Sequence, residues 1–370
     1  FEVRGHRRSK RGHLDVPKVG RGSVTFAYTG LDDIRRETKA TTSPPADVAA
    51  ARISFRVKVP AGKSRTLYAT FDCKSSAHAR RPTTRGRALR DACQVSSTSA
   101  SLEGWLLRSR DDLKMMLTST PQGFYPTAGV PWYATTFGRD GIITALQTLW
   151  LDSSIAKGVL GFLAATQATA VNAARDAEPG KVIHEMRADE MANTGEVPFG
   201  RYYGSVDATP LFVVLAGEYL SSTGDVATVA ELWPNLEAAL DWIERYGDKD
   251  GDGFVEYASN KNALTHQGWK DSDDAVFFED GALAQGPIAL CEVQGYVYDA
   301  RRRAAGLADV LGLHDRARSL RSQAAQLKDA FEDAFWCEDL STYALALDGA
   351  KRPCRVRASN AGHALFTGIA

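Results

Sequence analysis

The sequence predicts a multidomain protein of the β plus all-α class, with an N-terminal antiparallel β-sandwich followed by an all-α barrel. Three observations predict this arrangement. Residues 1 to about 72 alternate between apolar and polar side chains, residues 74–100 are rich in Ser, Thr, Arg and Ala, and the apolar period becomes helical from about residue 101. We therefore expect a β-rich domain over residues 1–100, with a connector at about 74–100, and a helical domain over residues 101–370.

Three segments of the first region predict strands. Residues 23–28 alternate and stop at Gly30, and residues 53–59 alternate and stop at the turn 60–62. Residues 66–71 form a third candidate. Alternation with period two, closed by Pro and Gly, is typical of half-buried antiparallel strands, and two packed sheets are the natural way to bury their apolar faces.

The second region predicts paired helices. Trp105, Leu106, Leu113, Met116 and Leu117 lie roughly on one helical stripe. Six further segments have helical periodicity: residues 142–151, 155–170, 211–222, 226–246, 288–311 and 316–335. The helices are joined by long loops rich in chemically active side chains, which favours an all-α barrel with its site in the loops.

Composition excludes several classes of protein. The 45 basic and 45 acidic residues balance, so no basic field for nucleic acid is expected. No apolar run approaches 18 residues, so we expect no membrane span. The five cysteines are few, odd in number and widely spaced, which favours free thiols in a reducing cytoplasm over a disulfide framework or a zinc site.

Both ends of the chain look interrupted. The first residues, from Phe1, read as the middle of a strand, without an initiator Met or the apolar segment of a signal peptide. The last residues, 364–370, are apolar and contain no helix stop signal. We therefore expect residues upstream and a truncated C-terminus.

Four loop segments combine aromatic residues with carboxylates, Arg and His: residues 129–141, 184–196, 201–209 and 266–274. The apolar C–H faces of a sugar stack on Trp and Tyr rings, while its hydroxyls bond strongly to charged groups. This mixture predicts a carbohydrate site. Trp132, Tyr203 and Trp269 are the aromatic candidates for contacts with the sugar.

Each of two aspartates in these loops has two possible roles. Asp140, next to Arg139, and Asp207, near Tyr203, both come just before an apolar helix. Each is either a helix N-cap or a contact to the sugar. The neighbouring Arg and aromatic residues favour the sugar contact for both, and Arg139 itself is a candidate substrate-binding residue.

Asp271 is the predicted catalytic residue. It follows Trp269 and lies beside Asp273 and Asp274. Clustered carboxylates repel one another, so one of them is expected to hold a proton near neutral pH, as a glycosidase acid must. The alternative is a hydrated acidic loop. Glu292 lies in an apolar helical run, where it is either paired structurally or directed at a pocket.

No metal or cofactor site is predicted with a complete signature. The segment from Asp248 to Glu256 resembles the start of an EF-hand loop, but Ser259 stands where the loop needs its last Glu. It predicts an Asp- and Gly-rich turn, with a weak Ca²⁺ site as the alternative. The histidines are scattered and match no zinc motif, so His184 and Glu185 are expected to belong to a pocket or a helix start.

The motifs, taken in order, resemble the amylo-α-1,6-glucosidase or glycogen-debranching family of bacteria and archaea. They are Phe137–Gly141, Tyr203–Phe212, Asp250–Tyr257, Gln267–Ser272, Gly286–Tyr296 and Ser359–His363. The resemblance covers essentially the whole chain. It implies an N-terminal β-rich domain and a glucoamylase-like (α/α)6 barrel that is incomplete here. It also implies inverting hydrolysis of terminal α-linked glucosyl units of an α-glucan or oligosaccharide.

The resemblance also implies residue roles. Arg139 and Asp140 would hold the non-reducing glucose, and Asp271 falls at the position of the general acid. In trehalase-like relatives the acid directly follows the Trp, and here that place is taken by Lys270. The catalytic base would lie in a later part of the barrel, beyond this chain.

Two rival functions stay open from the sequence. The first is a non-catalytic carbohydrate-binding or scaffold protein, and the second is a related trehalase or a phosphorolysing enzyme on the same barrel. If the family reading fails, Glu185, Glu190 and Glu196 become candidates for the base.

Overall fold

A computed structural model describes residues 7–76, 93, 95–127, 129, 133–258, 264–270 and 272–370. Its strands are β1 His13–Leu14, β2 Lys18–Gly20, β3 Ser23–Thr29, β4 Arg35–Ser43, β5 Asp47–Ala49, β6 Arg52–Ser54, β7 Tyr68–Ser75, β8 Leu117–Thr120, β9 Gly123–Pro126, β10 Thr136–Phe137, β11 Glu185–Met186, β12 Ala289–Leu290, β13 Trp336–Cys337, β14 Thr342–Tyr343 and β15 Ala346–Leu347. Its helices are α1 Ala100–Met116, α2 Gly138–Thr148, α3 Ser153–Thr166, α4 Glu190–Asn193, α5 Ala208–Thr223, α6 Val226–Trp242, α7 Cys291–Val310, α8 His314–Phe335 and α9 Gly362–Thr367. The chain divides into two compact units, Phe1–Pro82 with Ala188–Val197, and Thr83–Arg187 with Pro198–Ala370.

The first unit contains a five-stranded antiparallel sheet in the order β1-β3-β4-β7, with β2 also paired to β3. Strands β5 and β6 form a separate two-stranded ribbon. The antiparallel sheet is therefore as predicted. Within the described residues the strands make one sheet and one ribbon, so the second layer of a sandwich is not confirmed.

One predicted strand is largely wrong. Alternation predicted a strand over residues 53–59, but β6 ends at Ser54. Val57 and Val59 are 41% and 53% exposed. Alternation gives the faces that a strand would have, but a strand also needs a neighbour to take its backbone hydrogen bonds. The strand predicted at residues 66–71 is found two residues later, as β7.

Residues 188–197 belong to the strand unit. Glu190 accepts hydrogen bonds from the Tyr28 hydroxyl at 2.9 Å and from the Leu31 backbone amide at 2.7 Å, and it forms an ion pair with Arg8. Glu196 forms a second ion pair with Arg8. Both carboxylates are thus committed to holding this segment, which removes the reason to consider them as a catalytic base.

The second unit is built from helices that alternate in character. Helices α5 and α7 are buried on nearly all sides, whereas α8 buries one stripe: Ala317, Leu320, Ala324, Leu327, Phe331 and Phe335. Helix α5 is apolar on nearly all sides, as expected of a helix inside the domain, and a helix with one apolar stripe covers such a core. Helix α5 contacts α2, α3, α6 and α7, and α7 contacts α8 and α9. The predicted helices are confirmed in position and order.

The sequence signals at the helix ends are also confirmed. Gly224 ends α5 with φ +68°, a left-handed conformation that glycine adopts without strain. Asp225 then caps α6, its side chain accepting from the Thr228 amide at 3.1 Å. The turn between α5 and α6 is therefore short, whereas longer connections precede α2, α5, α7 and α9. None of the helices in the described ranges combines the length and apolar character needed to cross a bilayer.

Candidate functional site

Two of the motif loops meet through a short pair of strands. Strand β10, at the start of α2, pairs with β11 in the register Thr136↔Met186. The Gly138 amide donates to the His184 carbonyl at 2.9 Å. A Cβ at Gly138 would lie 2.0 Å from the Ile183 carbonyl oxygen, so only glycine permits this approach. The contact places Arg139 beside the loop that carries His184 and Glu185.

An ion pair joins α2 to α5. Arg139 Nη1 lies 2.8 Å from Asp207 Oδ2, and the Ser205 hydroxyl donates to Asp207 Oδ1 at 2.5 Å. Asp207 stands at the N-cap position of α5, yet its side chain makes no capping bond; the Ala208 amide donates to Ser205 Oγ instead, at 3.3 Å. The Asp207 side chain is 1% exposed and that of Arg139 is 17% exposed. Asp207 thus orients the guanidinium, which keeps an accessible edge for a ligand.

Asp140 and Tyr203 lie in contrasting environments. Asp140 sits in the first turn of α2, not at its N-cap, and is exposed; it makes no side-chain hydrogen bond within the part of the chain that the structure describes. Tyr203 is buried, and its hydroxyl donates to the Thr166 carbonyl at 2.7 Å. Asp140 therefore remains accessible to a sugar. Tyr203 serves the core, contrary to the sugar contact that the sequence suggested.

Trp269 offers a partly open ring. It is 36% exposed, its centroid lies 5.8 Å from that of His363, and the Lys270 ammonium lies 5.0 Å from its centroid. His363 Nδ1 shares a 2.7 Å hydrogen bond with the Tyr296 hydroxyl, and burial lowers the pKa of His363. This aromatic, partly exposed surface is suited to the C–H face of a sugar ring.

Glu292 and Asn360 form a buried polar pair on α7 and the turn before α9. Asn360 Nδ2 donates to Glu292 Oε1 at 2.8 Å, and the Cys291 thiol approaches Oε2 at 3.5 Å. Asn360 Oδ1 is buried and has no hydrogen-bond partner within the described residues. A Cβ at Gly268 would lie 3.9 Å from Glu292 Oε1, which places the carboxyl beneath the loop carrying Trp269. An unpaired buried amide oxygen next to that loop can accept a ligand hydroxyl.

Burial sets the charge states of two groups in opposite directions. It raises the pKa of Glu292 to about 7, with a contribution from the negative charge of Asp207. It lowers the pKa of His184 to about 3, and the positive charge of Arg139 adds to the effect. Burial disfavours the charged form of any group. The Glu292 carboxyl therefore keeps its proton up to near neutral pH, and the His184 imidazole is already neutral well below neutral pH.

The raised pKa of Glu292 predicts a pH-dependent stability. Between about pH 4.5 and 7 the folded state holds this proton more tightly than the unfolded state, so the free energy of unfolding falls as pH rises. Wild type should lose about 3 kcal/mol relative to Glu292→Gln between pH 4.5 and 8, from the size of that shift. Urea unfolding at both pH values measures the difference. Glu231 is exposed, so Glu231→Gln should show the same change in the free energy of unfolding between the two pH values as wild type. An equal change for wild type and Glu292→Gln would contradict the prediction.

Two predicted site residues lie outside the described part of the chain. They are the catalytic candidate Asp271 and the aromatic candidate Trp132. Asp273 and Asp274, next to Asp271, are exposed. The roles of Asp271 and Trp132 therefore stay predictions from the sequence.

The Asp-rich loop is held by a lysine. One carboxylate oxygen from each of Asp248, Asp250 and Asp252 lies within 4.8 Å of the others. The ammonium of Lys351 lies 2.9 Å from Asp250 and 2.6 Å from Asp252, and it also bonds to Glu256. Lys351 thus supplies a positive charge where the calcium alternative would place an ion. The lysine links this loop to the loop between α8 and α9.

Several site residues were missed from the sequence. Ser205, Tyr296 and Asn360 are ordinary polar residues. Ser205 is two residues from its partner Asp207, whereas only folding brings Tyr296 to His363 and Asn360 to Glu292. The motif order contained one usable signal, because Ser359–His363 belongs to the same series as Arg139 and Asp207. Glu185 was considered as a base; it is buried and paired with Arg187 at 2.7 Å.

Two family models match the chain. The N-terminal domain of (some) glycogen debranching enzymes matches residues 1–70. The mannosylglycerate hydrolase MGH1-like glycoside hydrolase domain matches residues 133–369, which is more than half of the chain. The chain belongs to this glycoside hydrolase family. The resemblance inferred from the ordered motifs is thereby confirmed. Among curated proteins, no sequence matches.

Solved glycosidases share the fold of this family member. The GH78 rhamnosidase of Bacillus sp. GL1 is 13% identical over 96% of this chain and 36% of its own, with a TM-score of 0.57. A rhamnosidase from Klebsiella oxytoca with rhamnose bound is 17% identical over 83% of this chain and 50% of its own, with a TM-score of 0.52. At such identities the likeness concerns the fold alone. The chain spans about a third and a half of these two proteins.

Proposed function

We propose that the protein containing this chain hydrolyses terminal α-linked glucosyl units of glycogen, branched dextrins or related oligosaccharides, by an inverting acid–base mechanism on an (α/α)6 barrel. The observation that carries the proposal is the Arg139 guanidinium, which Asp207 orients. The half-open ring of Trp269 and the Asn360 amide oxygen, which has no partner among the described residues, support it. Together they offer a charged donor, a stacking surface and a neutral acceptor. The N-terminal match to debranching enzymes favours an α-glucan as the substrate.

The proposed roles follow from these environments. Arg139 and the exposed Asp140 hold the hydroxyls of the terminal sugar, and Trp269 stacks on its C–H face. Glu292, protonated to near neutral pH, fixes Asn360 and supports the Trp269 loop. Asp271 protonates the leaving oxygen. The base of an inverting pair stands about 6.5–9.5 Å from the acid and is not assigned to any residue of this chain.

A substrate panel tests the proposal. The full protein is incubated with phosphorylase limit dextrin, isomaltose, maltotriose and trehalose, with and without phosphate, and the products are separated by anion-exchange chromatography. We expect glucose from the dextrin, independent of phosphate. Proton NMR of the first turnover should show the β-anomer, because inversion of an α-glucoside gives β-glucose. No sugar released from any α-glucoside would exclude the hydrolase. Glucose 1-phosphate would indicate phosphorolysis.

A second candidate is hydrolysis of a glycoside that carries a small carboxylate. It is favoured by the match of residues 133–369 to the mannosylglycerate hydrolase-like domain. Adding mannosylglycerate to the same panel decides between the two. Release of mannose from it, with no glucose from the dextrin, would replace the first candidate.

We also propose a cytoplasmic location. Cys73, Cys291, Cys337 and Cys354 are free thiols in the structure, and the last three are buried. Unpaired cysteines persist in a reducing compartment. Labelling of the thiols in intact cells and in lysates would test it, since a cytoplasmic protein is protected from an impermeant reagent.

A further inference from the structure

A partly open cavity lies in the helical unit, and its lining includes none of the side chains of the group around Arg139. It is a cavity of about 180 Å³ between the loop that follows α3 and the loop that follows α6. One wall is formed by Val206 and Gln267, joined by a 3.0 Å backbone hydrogen bond. At about 30 Å³ per molecule this volume corresponds to roughly six waters, enough for one sugar ring or a short polyol.

A buried lysine supplies donors to this cavity. Lys181 is 5% exposed, donates to the Asp176 carbonyl at 3.1 Å and lies 5.4 Å from the Trp242 ring centroid. Its nearest carboxylate is Glu178 Oε2 at 3.8 Å, an oxygen that already accepts from Trp242 Nε1 at 2.7 Å. An ammonium has three N–H donors, so Lys181 retains donors for a ligand.

An unpaired carboxylate oxygen supplies the acceptor. Glu256 lines the same cavity and is 2% exposed. Its Oε1 is bonded to Lys351, whereas its Oε2 is buried and has no hydrogen-bond partner among the described residues. A buried carboxylate oxygen left without a donor is costly, so Oε2 of a residue that lines a cavity calls for a partner.

We propose that this cavity binds one neutral polyhydroxylated molecule of monosaccharide size, as an accessory site separate from the catalytic one. A hydroxyl of the ligand donates to Glu256 Oε2 and another accepts from Lys181, since each hydroxyl can do both. Three carboxylates line the space and disfavour an anion: Asp176, Glu178 and Glu256. Two ammonium groups, those of Lys181 and Lys249, line it as well and disfavour a cation. The site shares no side chain with the group around Arg139, so the proposal does not rest on the proposed reaction.

The test measures glucose binding to the full protein by saturation-transfer NMR and by calorimetric titration. Arg139→Lys is the background, because it weakens the proposed catalytic site while leaving the cavity intact. Glucose should still bind to this variant. Cyclohexanol, of similar size but with one hydroxyl, should bind at least about tenfold more weakly, since hydrogen bonds to charged groups are worth more than a tenfold change each.

Two further changes locate the binding. Val171 lines the cavity at its surface and is 65% exposed, so Val171→Trp should block the entrance without disturbing the core. Glu256→Gln removes the charged acceptor with little change in shape. In the Arg139→Lys background each should weaken glucose binding about tenfold or more, with thermal unfolding of the Val171 variant unchanged. No glucose binding to Arg139→Lys, or binding unaffected by Val171→Trp, would overturn the site. Binding lost with Val171→Trp but kept with Glu256→Gln would overturn the role of Glu256.

Discussion

Replacement of Asp271 by asparagine is expected to lower kcat for α-glucosides by at least about 10²–10⁴-fold, the usual contribution of a general acid. The amide keeps the shape of the carboxyl but cannot deliver a proton to the leaving oxygen. Sugar binding should remain, so KM should change little. Steady-state kinetics on the full protein with limit dextrin or maltotriose measures the loss.

Three comparisons make this result specific. Glucosyl fluoride needs little protonation to leave, so Asp271→Asn should cleave it with a much smaller loss. Asp274→Asn, an exposed neighbour on the same loop, should retain activity. Asp140→Asn should instead weaken all substrates alike, because Asp140 is proposed to touch the terminal sugar and not the leaving group. If Glu292→Gln shows the pattern expected of Asp271→Asn, the acid is Glu292.

The second large effect is expected from Asp207→Ala. This change leaves the Arg139 guanidinium without the carboxylate 2.8 Å away and removes the acceptor of the Ser205 hydroxyl. Breaking a buried ion pair from one side costs about 3–5 kcal/mol; because Arg139 is 17% exposed, we expect about 3 kcal/mol, at the lower end. Denaturant unfolding measures it. KM should rise as well, because Arg139 loses its fixed orientation.

The controls for Asp207 distinguish the ion pair from simple helix capping. Asp152 caps α3 by accepting from the Ser154 amide at 3.0 Å, so Asp152→Ala should cost only about 1 kcal/mol. The double variant Arg139→Met/Asp207→Ala should recover part of the loss, since it leaves no unpaired charge. If Asp207→Ala lowers the free energy of unfolding no more than Asp152→Ala does, the Arg139–Asp207 ion pair contributes little to stability.

Helices were more predictable from the sequence than strands. The apolar stripe of α8 and the Gly224–Asp225 boundary follow from local periodicity and capping, which depend on neighbours a few residues away. Residues 55–59 show the opposite case. Their alternation is as regular as that of β3, but whether they pair depends on a neighbouring strand, which the local pattern does not encode.

The candidate site was predictable in its residue types but not in its contacts. The motif order brought forward Arg139, Asp207, Trp269 and Glu292, and all four carry polar or ring contacts in the helical unit. Tyr203 shows that membership of a motif does not determine where a side chain points. It lies in the motif next to Asp207, yet its hydroxyl bonds to Thr166, because the direction of a side chain is set by packing and not by its neighbours in the chain.

The sequence by itself determined the class of this protein: a β-rich segment followed by paired helices, free thiols, and loops with the composition of a sugar site. These follow from period, composition and motif order, all readable along the chain. Only the tertiary structure decided that Asp207 forms an ion pair with Arg139, that burial keeps Glu292 protonated to near pH 7, and that Lys351 forms ion pairs with the acidic loop. Each of these depends on groups more than sixty residues apart. Their distance and their exclusion from water are set by how the helices pack.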